Sequence, residues 1–136
     1  MSTVVMPKGR LLLMEPQFVL RRTVALLARD MGLTDVLEAT SPATAEKLLH
    51  ERRFNALLIA IDDDGQALEL LRQLRAGSTS QIPGLPVAAT AASCDIELVL
   101  RLKQLDVCRL LLKPFKVRGM LDAISALGAP APWPEP

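Results

Sequence analysis

The chain has 136 residues, of which 50% are hydrophobic, and a formal net charge of +1 at pH 7. This length fits one domain with a buried core, and the near-neutral charge gives no indication of a basic surface for nucleic acid. No segment approaches the roughly 18 consecutive apolar residues of a membrane span, and residues 1–9 lack the apolar stretch of a signal peptide, so we expect a cytoplasmic protein.

Two hydrophobic patterns alternate along the chain. Short unbroken apolar runs are typical of strands buried on both faces, and apolar stripes at helical spacing are typical of packed helices. The predicted strands are Arg10–Glu15, Asp35–Ala39, Ala56–Ile61, Leu85–Thr90 and Cys108–Leu112. The predicted helices are Gln17–Met31, Pro42–Arg52, Gln66–Ala76, Cys94–Leu105 and Lys116–Leu127.

Several residues indicate where these helices begin and end. Ser41 and Ser93 are predicted to cap the second and fourth helices, because a serine hydroxyl accepts a hydrogen bond from a free backbone N–H of the first turn. Glycines are predicted to stop the other helices, since glycine adopts left-handed backbone angles freely. They are Gly32, Gly77 and Gly128. The last helix is predicted to turn Val117, Met120 or Leu121, Ile124 and Leu127 inward.

The strict alternation of strands and helices favours parallel strands joined by right-handed crossovers. We therefore predict an α/β three-layer sandwich in a single domain over residues 10–128. Residues 1–9 are predicted to be a flexible lead-in. Residues 129–136 contain four prolines and the only tryptophan, and this composition predicts a disordered or extended tail.

Three consecutive carboxylates, Asp62, Asp63 and Asp64, follow the third strand. Ligands of open parallel sheets bind at the carboxyl ends of the strands, so this cluster is a candidate for chemistry. We favour a simpler interpretation, in which a turn places negative charge at the N-terminus of the next helix. The alternative is a site for a divalent cation.

The remaining residues that could take part in chemistry do not form a recognisable motif. Cys94 and Cys108 fit no metal-ligand spacing and are expected to be free thiols. The single histidine, His50, is expected on the surface near a helix end. The pair Arg21 and Arg22 is expected to be a solvated part of a helix.

Four segments, in this order, resemble the response-regulator receiver domain of two-component signalling, the CheY-like family. They are Leu-Leu-Leu-Met-Glu, Phe-Asn-Ala-Leu-Leu-Ile-Ala-Ile, Leu-Pro-Val-Ala-Ala-Thr-Ala and Leu-Leu-Leu-Lys-Pro-Phe, at the first, third, fourth and fifth strands. The resemblance covers residues 10–128. It implies a flavodoxin-like (βα)5 fold with a five-stranded parallel sheet in the order 2-1-3-4-5.

The resemblance also implies phosphoryl transfer to an aspartate, with Mg²⁺ held by an acidic pair, and here the sequence departs from the family. Ala60 aligns with the phosphoacceptor, and a methyl group cannot act as a nucleophile. The acidic pair aligns with Glu15 and Pro16, and proline has no side-chain oxygen for a metal. Leu110 aligns with the switch aromatic. The chain therefore resembles a degenerate receiver, or pseudo-receiver.

Two family positions are retained, since Thr90 aligns with the switch threonine and Lys113 with the active-site lysine. Without a phosphoryl group the ammonium of Lys113 needs another partner, and we expect an ion pair with Glu15 or Asp62. The resemblance implies a cis peptide bond between Lys113 and Pro114.

The predicted fourth helix is unusually apolar. Its apolar residues cover an arc of about 220°, roughly twice what one buried face needs. Either the helix fills a large core, or it exposes a patch for a partner. The resemblance implies that the fourth helix, fifth strand and fifth helix form an output and dimerisation face. The predicted interface residues are Ile96, Leu98, Val99, Leu100 and Leu110.

The sequence thus predicts a non-enzymatic signalling module that binds a protein partner or a second copy of itself. We expect no cofactor and no Mg²⁺, although Glu15 and Asp62 are the candidate metal ligands. One alternative is a Mg²⁺-dependent phosphoacceptor that uses Asp62 or Asp63. Another is a small-ligand site in the space vacated at Ala60, for which no glycine-rich phosphate loop is present.

Overall fold

The computed structural model describes residues 9–30, 32, 35–62 and 64–128. The strands are β1 Arg10–Met14, β2 Asp35–Ala39, β3 Ala56–Ala60, β4 Val87–Ala91 and β5 Arg109–Leu112. The helices are α1 Phe18–Asp30, α2 Pro42–Glu51, α3 Gln66–Arg75, α4 Ile96–Gln104 and α5 Val117–Gly128. Every predicted element is present, and its ends differ from the prediction by at most two residues.

The five strands form one parallel sheet in the order β2-β1-β3-β4-β5. This confirms the predicted flavodoxin-like fold. In the register of the sheet, Met14 pairs with Ile59 and Ala60 pairs with Thr90. The carboxyl ends of β1, β3, β4 and β5 therefore lie along one edge, where the candidate residues were expected.

Two apolar cores cover the two faces of the sheet. Leu57 and Ile59 of β3 point to the core shared with α2, α3 and α4. Leu58, between them, points to the opposite core, which is shared with α1 and α5. The unbroken apolar runs in the strands are explained by this three-layer packing, because a strand with helices on both sides has no solvent-facing position.

Several helix ends follow the sequence signals. The Ser41 hydroxyl accepts a hydrogen bond from Thr44 N at 3.2 Å, which confirms Ser41 as the N-cap of α2. Gly32 and Gly77 have φ of 68° and 82°, the left-handed angles expected where a helix stops at glycine. The predicted extension of α1 to Met31, the lead-in at residues 1–8 and the tail at residues 129–136 lie outside the described residues.

Two sequence predictions about helices are wrong. Asp95, not Ser93, caps α4, because the helix begins at Ile96 and Asp95 Oδ1 accepts from Leu98 N at 2.8 Å. Val117 is 45% exposed instead of inward, because it is the first residue of α5 and the packed side chains begin one turn later at Met120. No helix among the described residues is long and apolar enough to cross a membrane.

Candidate functional site

Four strand ends bring the candidate residues to the same edge of the sheet. Glu15 follows β1, Ala60 is the last residue of β3, Thr90 lies in β4, and Lys113 follows β5. Ala60 and Thr90 are paired in the register, and Thr90 O accepts a hydrogen bond from Ile61 N at 2.8 Å. The sheet therefore places side by side the residues that the sequence analysis selected from four separate segments.

Ala60 occupies the strand end with an inert side chain. It is buried, and its neighbour Thr90 is buried as well. The only heavy atom of the Ala60 side chain is a methyl carbon, which has no lone pair to attack phosphorus. At this position the described chain has no group that could carry a phosphoryl group.

Glu15 and Lys113 form an ion pair beside Ala60. Lys113 Nζ lies 2.8 Å from Glu15 Oε1, and the Glu15 side chain is 5% exposed. The second carboxylate oxygen, Oε2, accepts from Gln17 N at 2.9 Å. The predicted ion pair is confirmed, with Glu15 as the partner rather than Asp62. The peptide bond between Lys113 and Pro114 is cis, as the family resemblance implied.

Arg21 is a buried part of this edge, contrary to the prediction that it would be solvated. Its Nη1 donates to the backbone oxygen of Glu15 at 3.0 Å, and its Nε donates to Glu38 Oε1 at 3.0 Å. Arg22 also pairs with Glu38, which lies on β2. The sequence signal for this cluster was Glu38, an acidic residue inside the apolar strand β2. A carboxylate that is largely buried in a strand needs a cation as partner.

In the carboxylate cluster after β3, the structure describes Asp62 and Asp64, and Asp62 caps a helix. Asp62 Oδ1 accepts from Ala67 N at 3.2 Å, so this side chain satisfies a free N–H in the first turn of α3. Asp64 is exposed. This confirms the helix-terminus interpretation for Asp62, whereas Asp63 lies outside the described residues.

The strand ends offer few side-chain oxygens for Mg²⁺. Both oxygens of Glu15 are already occupied by Lys113 and Gln17, and Pro16 and Ala60 offer no side-chain oxygen. Magnesium needs near-octahedral oxygen coordination with one or two free carboxylates. Across residues 9–30, 32, 35–62 and 64–128, no three His, Cys, Asp or Glu side chains are placed to hold a metal ion together.

Two spaces lie near the strand-end residues. The cavity lined by Glu15, Thr90 and Phe115 has a volume of about 10 Å³, which is room for a single water molecule. A larger groove of about 550 Å³ lies between α3 and α4, lined by Asp62 and Arg101 among others. Ala60 lines neither space, so the geometry gives no support to a small ligand bound over Ala60.

An apolar surface lies on α4 and the elements that follow it. Ile96 is 78% exposed and Leu100 is 54% exposed. We call this the α4–β5–α5 surface, and its members are Ile96, Val99, Leu100, Leu112 and Val117. Leu98 and Leu110, which were predicted to belong to it, are only partly exposed because they pack against the core beside α4. Val117 joins the surface because it precedes the buried turns of α5.

No protein-family model matches this chain. The chemotaxis protein CheY of Pseudomonas aeruginosa is 27% identical over 119 residues, which cover 87% of this chain and 94% of the relative. The chemotaxis protein CheY-3 of Vibrio cholerae is 27% identical over 128 residues, covering 93% of this chain and 97% of the relative.

Solved structures share the fold. The receiver domain of HemR from Leptospira biflexa superposes with a TM-score of 0.78 and 21% identity, covering 90% of this chain and 95% of that one. A response regulator receiver protein from Pseudomonas putida superposes with a TM-score of 0.77 and 22% identity, covering 88% of this chain and 98% of that one. The chain is thus similar in sequence to chemotaxis CheY proteins, and it shares the fold of response-regulator receiver domains.

Proposed function

We propose that this chain is a receiver-like signalling module that is not phosphorylated at the usual strand-end position and acts through contacts with protein. The observation that carries the proposal is the strand-end site itself. Ala60 stands where the family has its acceptor, and the retained lysine already has a carboxylate partner in Glu15. A site of this kind has no nucleophile, and its charges are satisfied without a phosphoryl group.

The electrostatics of the pair support this proposal. An ammonium shielded from water is costly without a partner, so a lysine with no phosphoryl group to bind needs a carboxylate. Here Lys113 and Glu15 neutralise each other at 2.8 Å, and Gln17 N completes the shell of the carboxylate. The module is accordingly proposed to be neither an enzyme nor dependent on Mg²⁺ or another cofactor.

The α4–β5–α5 surface is proposed as the contact with a protein partner or with a second copy of the chain. Large apolar side chains exposed on neighbouring elements commonly mark interaction sites. The exposed side chains of Ile96 and Leu100 lie on a helix that buries only Leu102 completely. These apolar side chains would lose contact with water in a complex.

A melting experiment tests the absence of the usual phosphoryl site. Beryllofluoride mimics a phosphoryl group on an aspartate, and a ligand that binds only the folded state raises the melting temperature. With Mg²⁺ and beryllofluoride we expect the melting temperature to stay where Mg²⁺ alone leaves it. A saturable rise that needs both components would contradict the proposal.

A second candidate function is a displaced phosphoacceptor. Asp62 is the observation that favours it, because its carboxylate lies two residues beyond Ala60 and lines the groove between α3 and α4. This function predicts that any beryllofluoride effect disappears in Asp62→Asn. The capping bond to Ala67 N argues against it, since that oxygen already serves the helix.

A separate experiment tests the surface. Leu100→Asp places a charge on the α4–β5–α5 surface, and Leu26→Asp places the same charge at a 46% exposed leucine on α1. If the surface binds a second copy, Leu100→Asp should abolish concentration-dependent self-association in sedimentation velocity while Leu26→Asp leaves it unchanged. Equal effects of the two variants would exclude this surface as the dimer contact.

A further inference from the structure

Arg75, the last residue of α3, makes an unusual set of hydrogen bonds with the backbone. Its Nε donates to Leu105 O at 2.7 Å, and its Nη2 donates to Asp106 O at 3.2 Å. Its Nη1 donates to Pro83 O at 2.6 Å and to Leu85 O at 2.8 Å. One guanidinium thus joins the C-terminal end of α4 to the loop that leads into β4.

Two of the carbonyl groups that Arg75 contacts, those of Leu105 and Asp106, belong to a strained turn. α4 ends with Asp106 N donating to Lys103 O and Val107 N donating to Leu102 O, both at 3.0 Å, which is the pattern of a helix closed by a left-handed residue. Asp106 has φ of 60°, an angle that glycine adopts freely and other residues adopt at a cost. Residues in such conformations persist where their surroundings hold them in place.

Apolar packing alone gives α4 little hold on the rest of the molecule. Leu102 is its only fully buried residue, and β4 beneath it presents mainly alanines. Leu98 and Leu105 are partly buried, and the groove beside the helix has a volume of about 550 Å³. The contacts that hold α4 to the rest of the molecule are therefore those of Leu102, the partial packing of Leu98 and Leu105, and the hydrogen bonds of Arg75 at its C-terminal end.

We propose that Arg75 is a positioning residue for α4, which holds the helix against the domain through its C-terminal carbonyl groups. In so far as α4 carries the α4–β5–α5 surface, the consequence for binding rests on the function proposed above. Loosening this end of the helix then changes the orientation of Ile96, Val99 and Leu100 and weakens the contact. Burial lowers the pKa of the Arg75 guanidinium, but arginine stays charged in proteins, so the contact does not depend on pH near neutrality.

Hydrogen exchange of the full chain, followed by mass spectrometry, tests the proposal without any partner. In Arg75→Met, exchange in the peptides that cover residues 96–107 should accelerate at least about tenfold, because charged hydrogen bonds to the backbone are lost. Exchange in β1 and β3 should stay the same. Arg75→Lys should give an intermediate result, since an ammonium keeps the charge but cannot reach four carbonyl groups as a planar fork does.

The matched control is Arg72→Met on the same helix. The side chain of Arg72 is exposed and hydrogen-bonds to Glu69 on the same helix, so this variant removes an arginine from α3 and leaves the hydrogen bonds of Arg75 in place. We expect no change in exchange over residues 96–107. If Arg75→Met changed these peptides no more than Arg72→Met did, or accelerated exchange equally throughout the sheet, the proposal would be overturned.

A second change separates positioning from general stability. Glycine at position 106 adopts the left-handed angle without strain, so the end of α4 should then depend less on Arg75. The double variant Arg75→Met with Asp106→Gly should regain part of the protection lost in Arg75→Met. No recovery would contradict the idea that Arg75 holds a strained turn. Because this comparison involves no binding, it stands or fails independently of the partner surface.

Discussion

At the residue scale, the site is defined by the pair of Lys113 and Glu15. Both side chains are mostly shielded from water, and removing one partner of such a pair leaves the other charge uncompensated. We expect Lys113→Met to lower the free energy of unfolding by roughly 3 kcal/mol, measured by urea denaturation. A loss below about 1 kcal/mol, the usual size for a surface pair, would show that the pair is not structural.

The control for this prediction removes the buried charge together with its partner. In the double variant of Lys113→Met and Glu15→Gln no carboxylate remains to be neutralised, and the amide still accepts from Gln17 N. We expect this variant to be more stable than Lys113→Met alone. Equal stability of the two variants would mean that the cost in Lys113→Met comes from lost packing.

Glu69 and Arg72 form a second pair, fully at the surface. Hydrogen bonds from Arg72 and then Gln73 lower the pKa of Glu69 from 4.5 to about 2. A lowered folded pKa means that the contribution of the pair is present above pH 4.5 and is lost as the pH falls from there toward 2. An NMR titration of the Glu69 carboxyl should show this low pKa. In Arg72→Met the pKa of Glu69 should move back toward the ordinary range. The same pKa in both proteins would contradict the role of Arg72.

Sequence reasoning at this scale worked where chemistry limited the choices. Lys113 needed an acidic partner at a strand end, and only a few carboxylates were available there, so its ion pair could be predicted. Arg21 could not be predicted in the same way. Its burial depends on Glu38 lying on the adjacent strand, and that neighbour is set by the order of β1 and β2 in the sheet.

At the scale of elements, α4 combines core and surface on one short helix. Leu102 is fully buried, Leu98 is half-buried, and Leu100 is exposed. We expect Leu102→Asp to destabilise the fold by more than about 3 kcal/mol, because a charge would be buried without a partner, and Leu100→Asp to stay within about 0.5 kcal/mol. Leu98→Asp should fall between them in urea denaturation, so a loss of binding in that variant would not by itself identify a surface contact.

If Leu100→Asp were more destabilising than Leu102→Asp, α4 would have to pack in another orientation. The apolar arc of the helix is divided between buried and exposed side chains. Its sequence alone could not divide the leucines between core and surface, because that division depends on how far the helix stands from the alanines of β4.

The N-caps of the helices also could be predicted only in part from the sequence. Ser41 was predicted because it precedes proline, which fixes the first turn of α2. Ser93 and Asp95 are both good caps, and the choice between them depends on where α4 meets the sheet edge. Propensity gave the type of residue, and tertiary packing selected the position.

At the scale of the whole molecule, the order of the strands follows from the alternation of apolar runs and stripes together with the family resemblance. Four crossovers place four strand ends along one edge, which brings together candidate residues from four distant segments. What the sequence could not give is the space left beside Thr90, where a cavity of about 10 Å³ is lined by Phe115 and Met120.

The central claim is that this receiver-like domain carries no phosphoryl group at its strand ends. The measurement that tests it most directly is the intact mass of the chain after incubation with acetyl phosphate and Mg²⁺. We expect no gain in mass, because Ala60 offers no nucleophile and Glu15 is paired with Lys113. A stoichiometric, hydroxylamine-labile gain of one phosphoryl group that disappears in Asp62→Asn would contradict the account and place the acceptor two residues beyond Ala60.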